Sequence, residues 1–486
     1  MGKVTGRRAG ILLALSSLPG AQGHADPRGP SGLPDERHGP PPAGVLGKPA
    51  CDFVDFLAEA GQSLWQILPI GPVGAALSPY QSRSAFAGNP GFIDWGDVQS
   101  SPGRYAAKGA AYMRFLKENA AWIDDYALFE AVRGSQQGRP LSQWPDWLRN
   151  PSAKTLSGLR DRYGQETASV RHEQFCFFLQ WQGLKRYANL KGVGIIGDLP
   201  IYVYEDSAEF WLRRRAFDAG KDGRPRASAG VPPDGFSEGG QIWNNPVYDW
   251  ERGRKEAFAF WRERLAQAAR LYDGVRIDHF RAFADFYAIP LETQGALSPS
   301  VSSASGEWRP GPGKAFTDML RKEFPGFFII AEDLGELSET AARLVEESGF
   351  PGMKVMQFAF SGDPANPYLP HNIPENAVAF TGTHDNNTLL GWTRGAPRPE
   401  RRFAMRYLGL SSQEGLAEAL LAQTLACRAD TAIIPLQDWL GLGAEARMNK
   451  PGTKGGRNWK WQYPKDALTR RLAARIRLAT KGLYGR

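Results

Sequence analysis

Cysteine is almost missing: the 486 residues hold three, Cys51, Cys176 and Cys427, far apart in the chain. That number and spacing give neither a disulfide framework nor a zinc-ligand set, and they favour a reducing, cytoplasmic location. Histidine is sparse too, with six residues, and none groups with cysteines or carboxylates at metal-ligand spacing. No metal and no cofactor is expected. No stretch approaches the ~20 consecutive apolar residues of a membrane span, so no membrane partner is expected. There is no internal repeat. The net charge of +8 draws attention to Arg213, Arg214 and Arg215, and to Arg398, Arg401 and Arg402. These lie in helix-like surroundings without a nucleic-acid motif, so they read as solvated faces, and no nucleic acid is expected. Nothing in the sequence fixes an oligomeric state.

What is abundant is aromatic: 15 Trp, 15 Tyr and 26 Phe. Rings in these numbers fill cores, and they also suit the flat C–H faces of sugars. Hydrophobic residues at 42% and charged residues at 23% are ordinary for a globular enzyme. Near the start, Lys3, Arg7 and Arg8 precede an apolar run, Ile11 to Leu18, as in a signal peptide. Ser16 and Ser17 break that run and Pro19-Gly20 ends it, which favours a first strand. Residues 20–50 are crowded with Pro and Gly and read as a flexible loop.

Eight short apolar runs follow one another: Gly10 to Leu15, Leu64 to Pro69, Gly194 to Asp198, Gly274 to Asp278, Phe328 to Glu332, Lys354 to Phe358, Ala377 to Thr381 and Thr431 to Pro435. Amphipathic helical patterns lie between several of them, at Asp52 to Ala60, Ala257 to Leu271, Thr340 to Ser348 and Gln413 to Ala426. Strands buried on both faces and alternating with helices predict an α/β fold, a (β/α)8 TIM barrel with its site at the strands' C-terminal ends. The barrel is expected to span 1–486 as one catalytic unit. Residues 91–190 are expected to form an inserted, mainly helical subdomain, with helices around Ala107 to Val132 and Gln174 to Leu190. Residues 206–250 read as an inserted loop region over the site.

Three stretches lead into a carboxylate where an apolar run gives out: Gly-Val-Arg-Ile-Asp278, Phe-Ile-Ile-Ala-Glu332 and, after Ala-Phe-Thr-Gly-Thr-His, Asp385. Acidic groups at strand exits can break a glycosidic bond, one attacking the sugar, one protonating the leaving oxygen and one gripping the ring. Arg276, two residues before Asp278, points to the same face of a strand and favours the ionised form. Asp333 points the other way from Glu332 and is its rival for the proton-donor role.

With Ser16 to Gly20, Ser78 to Pro90, Gly197 to Val203, Gly230 to Trp250, Val275 to Phe283, Thr381 to Trp392 and Gln437 to Trp461 also in order, the chain resembles the 4-α-glucanotransferases of the amylomaltase or disproportionating type (glycoside hydrolase family 77, α-amylase superfamily). The resemblance implies transfer of α-1,4-glucan segments between maltooligosaccharides, with glucose or a glucan as acceptor, through a covalent glucosyl-enzyme intermediate and with retention of configuration. It implies Asp278 as nucleophile, Glu332 as acid/base and Asp385 as third carboxylate. It further implies sugar contacts by Arg276, His279, His384, Tyr80, Ser78, Asp198, Trp243, Phe236, Asn449 and Pro451. Several positions depart from the family pattern. Ala75-Ala76-Leu77 stands for the usual Tyr-Gly-Asp, Gly235 for Tyr, Ala14 for His, Asn387 for Asp and Asn244 for Gly. The carboxylates serve transfer and hydrolysis equally, so an α-glucan hydrolase and a non-catalytic glucan-binding protein stand as alternatives.

Overall fold

The computed structural model describes residues 6–20, 44–233, 239–291, 305–453 and 455–486. In chain order its strands are β1 (Arg8–Leu12), β2 (Leu64–Gln66), β3 (Gly194–Leu199), β4 (Ala227–Val231), β5 (Gln241–Pro246), β6 (Gly274–Ile277), β7 (Asp285–Pro290), β8 (Glu307–Pro310), β9 (Phe328–Ala331), β10 (Gly352–Val355), β11 (Ala377–Phe380) and β12 (Thr431–Pro435). Eight of them close a parallel barrel in the order β1-β12-β11-β10-β9-β6-β3-β2. The (β/α)8 expectation holds.

Side-chain alternation explains why these runs look uniformly apolar. Leu12, Leu64, Ile196, Ile330, Met353, Val378, Phe380 and Ile433 form one buried cluster. Their strand neighbours Ile11, Trp65, Ile195, Ile329 and Ile434 belong to a second, larger cluster that includes the surrounding helices. One set fills the barrel and the other faces its helical coat. On β6 the alternation places Val275 and Ile277 in the outer cluster and Arg276 between them.

Most strand bounds move by a residue or more, β2 ending already at Gln66, and β1 and β10 are displaced at both ends. β1 begins at Arg8, because Arg8 to Leu12 pair with Thr431 to Pro435, while Leu15–Ser17 form a 3-10 turn. β10 is Gly352–Val355, paired with Ala377–Phe380, and Met356–Phe358 form a 3-10 turn. Met356 is apolar because it packs in a separate cluster with Phe360 and Leu369, which made the run look longer.

Between β2 and β3 the chain forms helices, among them Ala110–Glu118, Ile123–Ser135 and Gly164–Leu190. The pattern over Ala107 to Val132 is thus two helices, broken at Asn119, whose side chain bonds the Phe115 carbonyl at 2.8 Å. Most of the large rings are core: Trp65, Trp144, Trp181, Trp211 and Trp261 are among the largest fully buried side chains. Residues 206–250 are not simply loop. They hold β4 and β5, which join β7 and β8 in an antiparallel sheet of order β5-β4-β7-β8. Ala-Ser-Ala-Gly-Val and Gln-Ile-Trp-Asn-Asn-Pro carry weak strand propensity, and β7, which pairs with β4 on the side away from β5, lies far along the chain.

Candidate active site

Ile277 pairs with Ala331 across β6 and β9. The next residue on each strand is a carboxylate, so Asp278 and Glu332 leave the barrel side by side. The backbone reinforces this: the Glu332 N–H reaches the Ile277 carbonyl and the Phe280 N–H the Glu332 carbonyl, each at 3.1 Å.

Arg276 lies beneath them, its side chain 5% exposed. One of its nitrogens donates to Asp278 at 2.6 Å and stands 3.9 Å from Glu332. The other donates to Asp198 at 2.7 Å. The two carboxylates therefore lie no further apart than the sum of the first two distances. Burial pushes the Glu332 carboxyl up to about 7, against the opposing pull of Arg276 and with a further push from Asp278. Its two oxygens accept from the His279 N–H at 2.6 Å and the Leu334 N–H at 2.9 Å. To present its N–H, His279 adopts a left-handed conformation, φ 50°. Burial lowers the His279 imidazole to about 4, leaving it neutral.

Asp333, the rival, is tied elsewhere. It accepts the Met353 N–H at 2.6 Å and pairs with Lys354 at 3.1 Å, joining the end of β9 to β10. Gly352 is required there, since a Cβ would sit 2.4 Å from an Asp333 oxygen. Gln357 holds the Asn387 carbonyl at 2.8 Å.

Asp385 stands on the loop after β11. It accepts from Asn449 at 2.6 Å and lies 3.4 Å from the His384 ring. Burial works against its charge, but His384 and Asn449 outweigh it and bring the carboxyl down to about 2. Burial likewise opposes the His384 charge, and Asp385 reverses this, raising the imidazole. Tyr80 joins the two halves of the site. Its ring stacks on His384 at 5.1 Å, and its hydroxyl donates to Asp198 at 2.8 Å.

The other expected contacts separate. The Asp198 side chain has no exposed surface, so it supports Arg276 and Tyr80 from below instead of lining the cleft. Trp243, on β5, meets the His279 ring edge-on at 4.9 Å. Ser78 is half-buried two residues before Tyr80, its carbonyl accepting from Gln81. Pro451 is exposed on the turn beyond Asn449. Phe236 and Gly235 lie outside the described residues. Among the described residues no group of His, Cys, Asp and Glu gathers at metal-holding distance.

Sequence reasoning missed Trp459, whose ring centroid lies 5.8 Å from that of His384 and 5.9 Å from that of Tyr80. It has φ 67°, and the other described non-glycine residues with positive φ are Leu77, Gln137, Asn244 and His279. All but Gln137 belong to the segments that surround the carboxylates. Such strain is stored where the surrounding structure demands it, commonly at functional sites. It leaves no mark in composition or periodicity.

A parallel barrel whose strand exits carry an arginine-bridged carboxylate pair, with a third carboxylate beside it, defines a glycoside-processing barrel enzyme. The family model for 4-alpha-glucanotransferases matches residues 37–111 and 99–469. The 4-alpha-glucanotransferase of Thermus thermophilus is 40% identical, covering 97% of each chain, and that of Synechocystis is 38% identical, covering 99% of this chain and 98% of its own. The amylomaltase of Streptococcus agalactiae, solved with acarbose, superposes with a TM-score of 0.87 at 33% identity over 99% of both chains. The chain belongs to the 4-alpha-glucanotransferase family, glycoside hydrolase family 77.

Proposed function

We propose that this protein is a 4-α-glucanotransferase that moves α-1,4-glucan segments between maltooligosaccharides by double displacement. The observation that carries the mechanism is the pair of carboxylates bridged by Arg276, one of them shifted to about 7. In the first step Glu332 gives its proton to the glycosidic oxygen as the C1–O bond breaks. Asp278 forms a bond to C1, and the leaving chain departs with a free 4-hydroxyl. In the second step an acceptor 4-hydroxyl gives its proton to Glu332, its oxygen bonds to C1, and Asp278 is released. Two inversions leave the α configuration intact. The bounded separation supports retention, since a pair about 5–5.5 Å apart has no room for an intervening water.

Asp385, low at about 2, is ionised throughout and holds ring hydroxyls with His384, Asn449 and Tyr80. Trp243 and His279 line the acceptor side. Transfer is favoured over hydrolysis by the family membership and by this aromatic wall, which limits water. The chain works as a single catalytic barrel, with residues 91–190 a helical attachment and 206–250 reaching over the site. A cytoplasmic location fits the three free cysteines, and among the described residues no helix is long and apolar enough to cross a membrane. The test is incubation with maltotriose. Glucose plus a ladder of longer oligosaccharides is expected, with every newly formed linkage α-1,4 by NMR. Glucose and maltose alone indicate hydrolysis, and a β linkage in the transfer products refutes retention.

A further inference from the structure

The loop that carries His384 and Asp385 leaves β11 through Thr381 and enters the helix Leu389–Gly395 at Leu389. One buried carboxylate touches both ends. Asp438 accepts the Thr381 hydroxyl with one oxygen and the Leu389 N–H, at 2.7 Å, with the other. It comes from the short helix Leu436–Trp439 after β12, the strand paired with β11. The ends of the loop are thus pinned to a neighbouring stave of the barrel as well as to each other.

Contacts higher in the loop secure its tip. The Asn386 side-chain oxygen accepts the N–H and hydroxyl of Thr383, both at 2.8 Å, and Arg447 donates to the Asp385 carbonyl. Asn449 grips the Asp385 carboxylate itself. The base depends on Asp438. Two groups converging from opposite ends of a loop are met together by the two ends of one planar side chain, here the two oxygens of the carboxylate. Keeping it there is costly, because burial raises the Asp438 carboxyl to about 6 even against these two bonds. A group held in that state without touching the reacting atoms has a reason in what it holds.

We infer that Asp438 is a positioning residue, which fixes the height and orientation of Asp385 at the sugar ring by stapling Thr381 to Leu389. The inference rests on the reading of Asp385 as the third carboxylate of a glucanotransferase. Wild-type transfer on maltotriose, measured alongside, tests that reading separately.

The test compares Asp438→Ala, Asp438→Asn and Thr381→Val on maltotriose, with thermal unfolding as a check of fold. Asn keeps one oxygen for Leu389 and offers its amide to the Thr381 oxygen, so it preserves the staple; Ala removes it. For Asp438→Ala, kcat should fall about 100-fold, as expected for a misplacement of roughly 1 Å, with KM within about threefold. Asp438→Asn should stay within about threefold of wild-type kcat. Thr381→Val removes one arm and should lower kcat about tenfold, which keeps the test alive if Asp438→Ala fails to fold. A folded Asp438→Ala enzyme with wild-type kcat overturns the proposal. So does an Asp438→Asn enzyme as slow as the alanine variant, or an unchanged kcat in Thr381→Val. In an Asp385→Asn background, Asp438→Ala should cause no further loss. A further drop of about 100-fold there shows that Asp438 acts elsewhere and overturns the inference.

Discussion

Arg276 donates a 2.6 Å bond to Asp278 from the same nitrogen that stands 3.9 Å from Glu332. One cation thus bonds Asp278 directly and reaches Glu332 only at longer range. The asymmetry suits the proposed roles of Asp278 as nucleophile and Glu332 as proton donor, and Asp278→Asn should separate them. Asn cannot form the ester to C1, so transfer should fall by at least about 1,000-fold while binding of maltooligosaccharide persists. Product formation from maltotriose and a calorimetric titration check the two parts. Unchanged product formation would remove Asp278 from the nucleophile role.

The Glu332 carboxyl, raised to about 7, predicts the alkaline limb of the pH profile. The first step needs the protonated form, which is depleted as pH rises through about 7. Above that point kcat/KM should fall about tenfold per pH unit. Glu332→Gln should lower kcat by roughly 100- to 10,000-fold and abolish this limb, since the amide does not titrate. A wild-type profile flat to pH 9 would remove Glu332 from the proton-donor role.

Arg276 serves stability as well as chemistry. Asp198, whose side chain has no exposed surface, takes one bond from Arg276 and one from Tyr80. Arg276→Ala leaves a buried carboxylate without its cation and should cost about 3–5 kcal/mol in urea unfolding. Arg276→Lys keeps the charge but lacks the planar fork that reaches Asp198 and Asp278 together. It should recover most of the stability and little of the activity. Equal recovery of both would argue against the bridge.

How far the sequence spoke for this site can be judged residue by residue. Asp278, Glu332 and Arg276 were legible because a strand of alternating faces followed by a carboxylate is a local pattern. Asp385 was read as a third strand-exit carboxylate, whereas it stands further on, in the loop beyond β11. Asp198 was expected from the resemblance as a sugar contact and not as a residue facing inward, because the Arg276 and Tyr80 that claim it come from other strands and loops. Asp438 and Trp459 act through partners distant in sequence, and the left-handed backbone at Trp459 has no compositional mark. β4 and β5 escaped for the same reason: the sheet they form is joined through β4 to β7, which is distant in sequence.

Trp243 tests what decides between acceptor and water. Its ring meets His279 edge-on at 4.9 Å and lies 6.4 Å from the Tyr202 ring, so it walls the side of the site next to the carboxylate pair. A glucosyl intermediate on Asp278 is open to attack by any hydroxyl that Glu332 can deprotonate, and water is always present in excess. Transfer wins only if an acceptor sugar occupies that side and displaces the water, and a flat indole against the sugar's C–H face contributes to both. Loss of such an aromatic contact costs about 1 kcal/mol of acceptor binding, or roughly fivefold. Trp243→Ala should therefore raise the fraction of hydrolytic product from maltotriose about fivefold, with first-step chemistry nearly intact. Trp243→Phe should fall between the two. The measurement is the ratio of reducing ends created to longer oligosaccharides formed. A ratio unchanged in Trp243→Ala would assign water exclusion to other residues of the site.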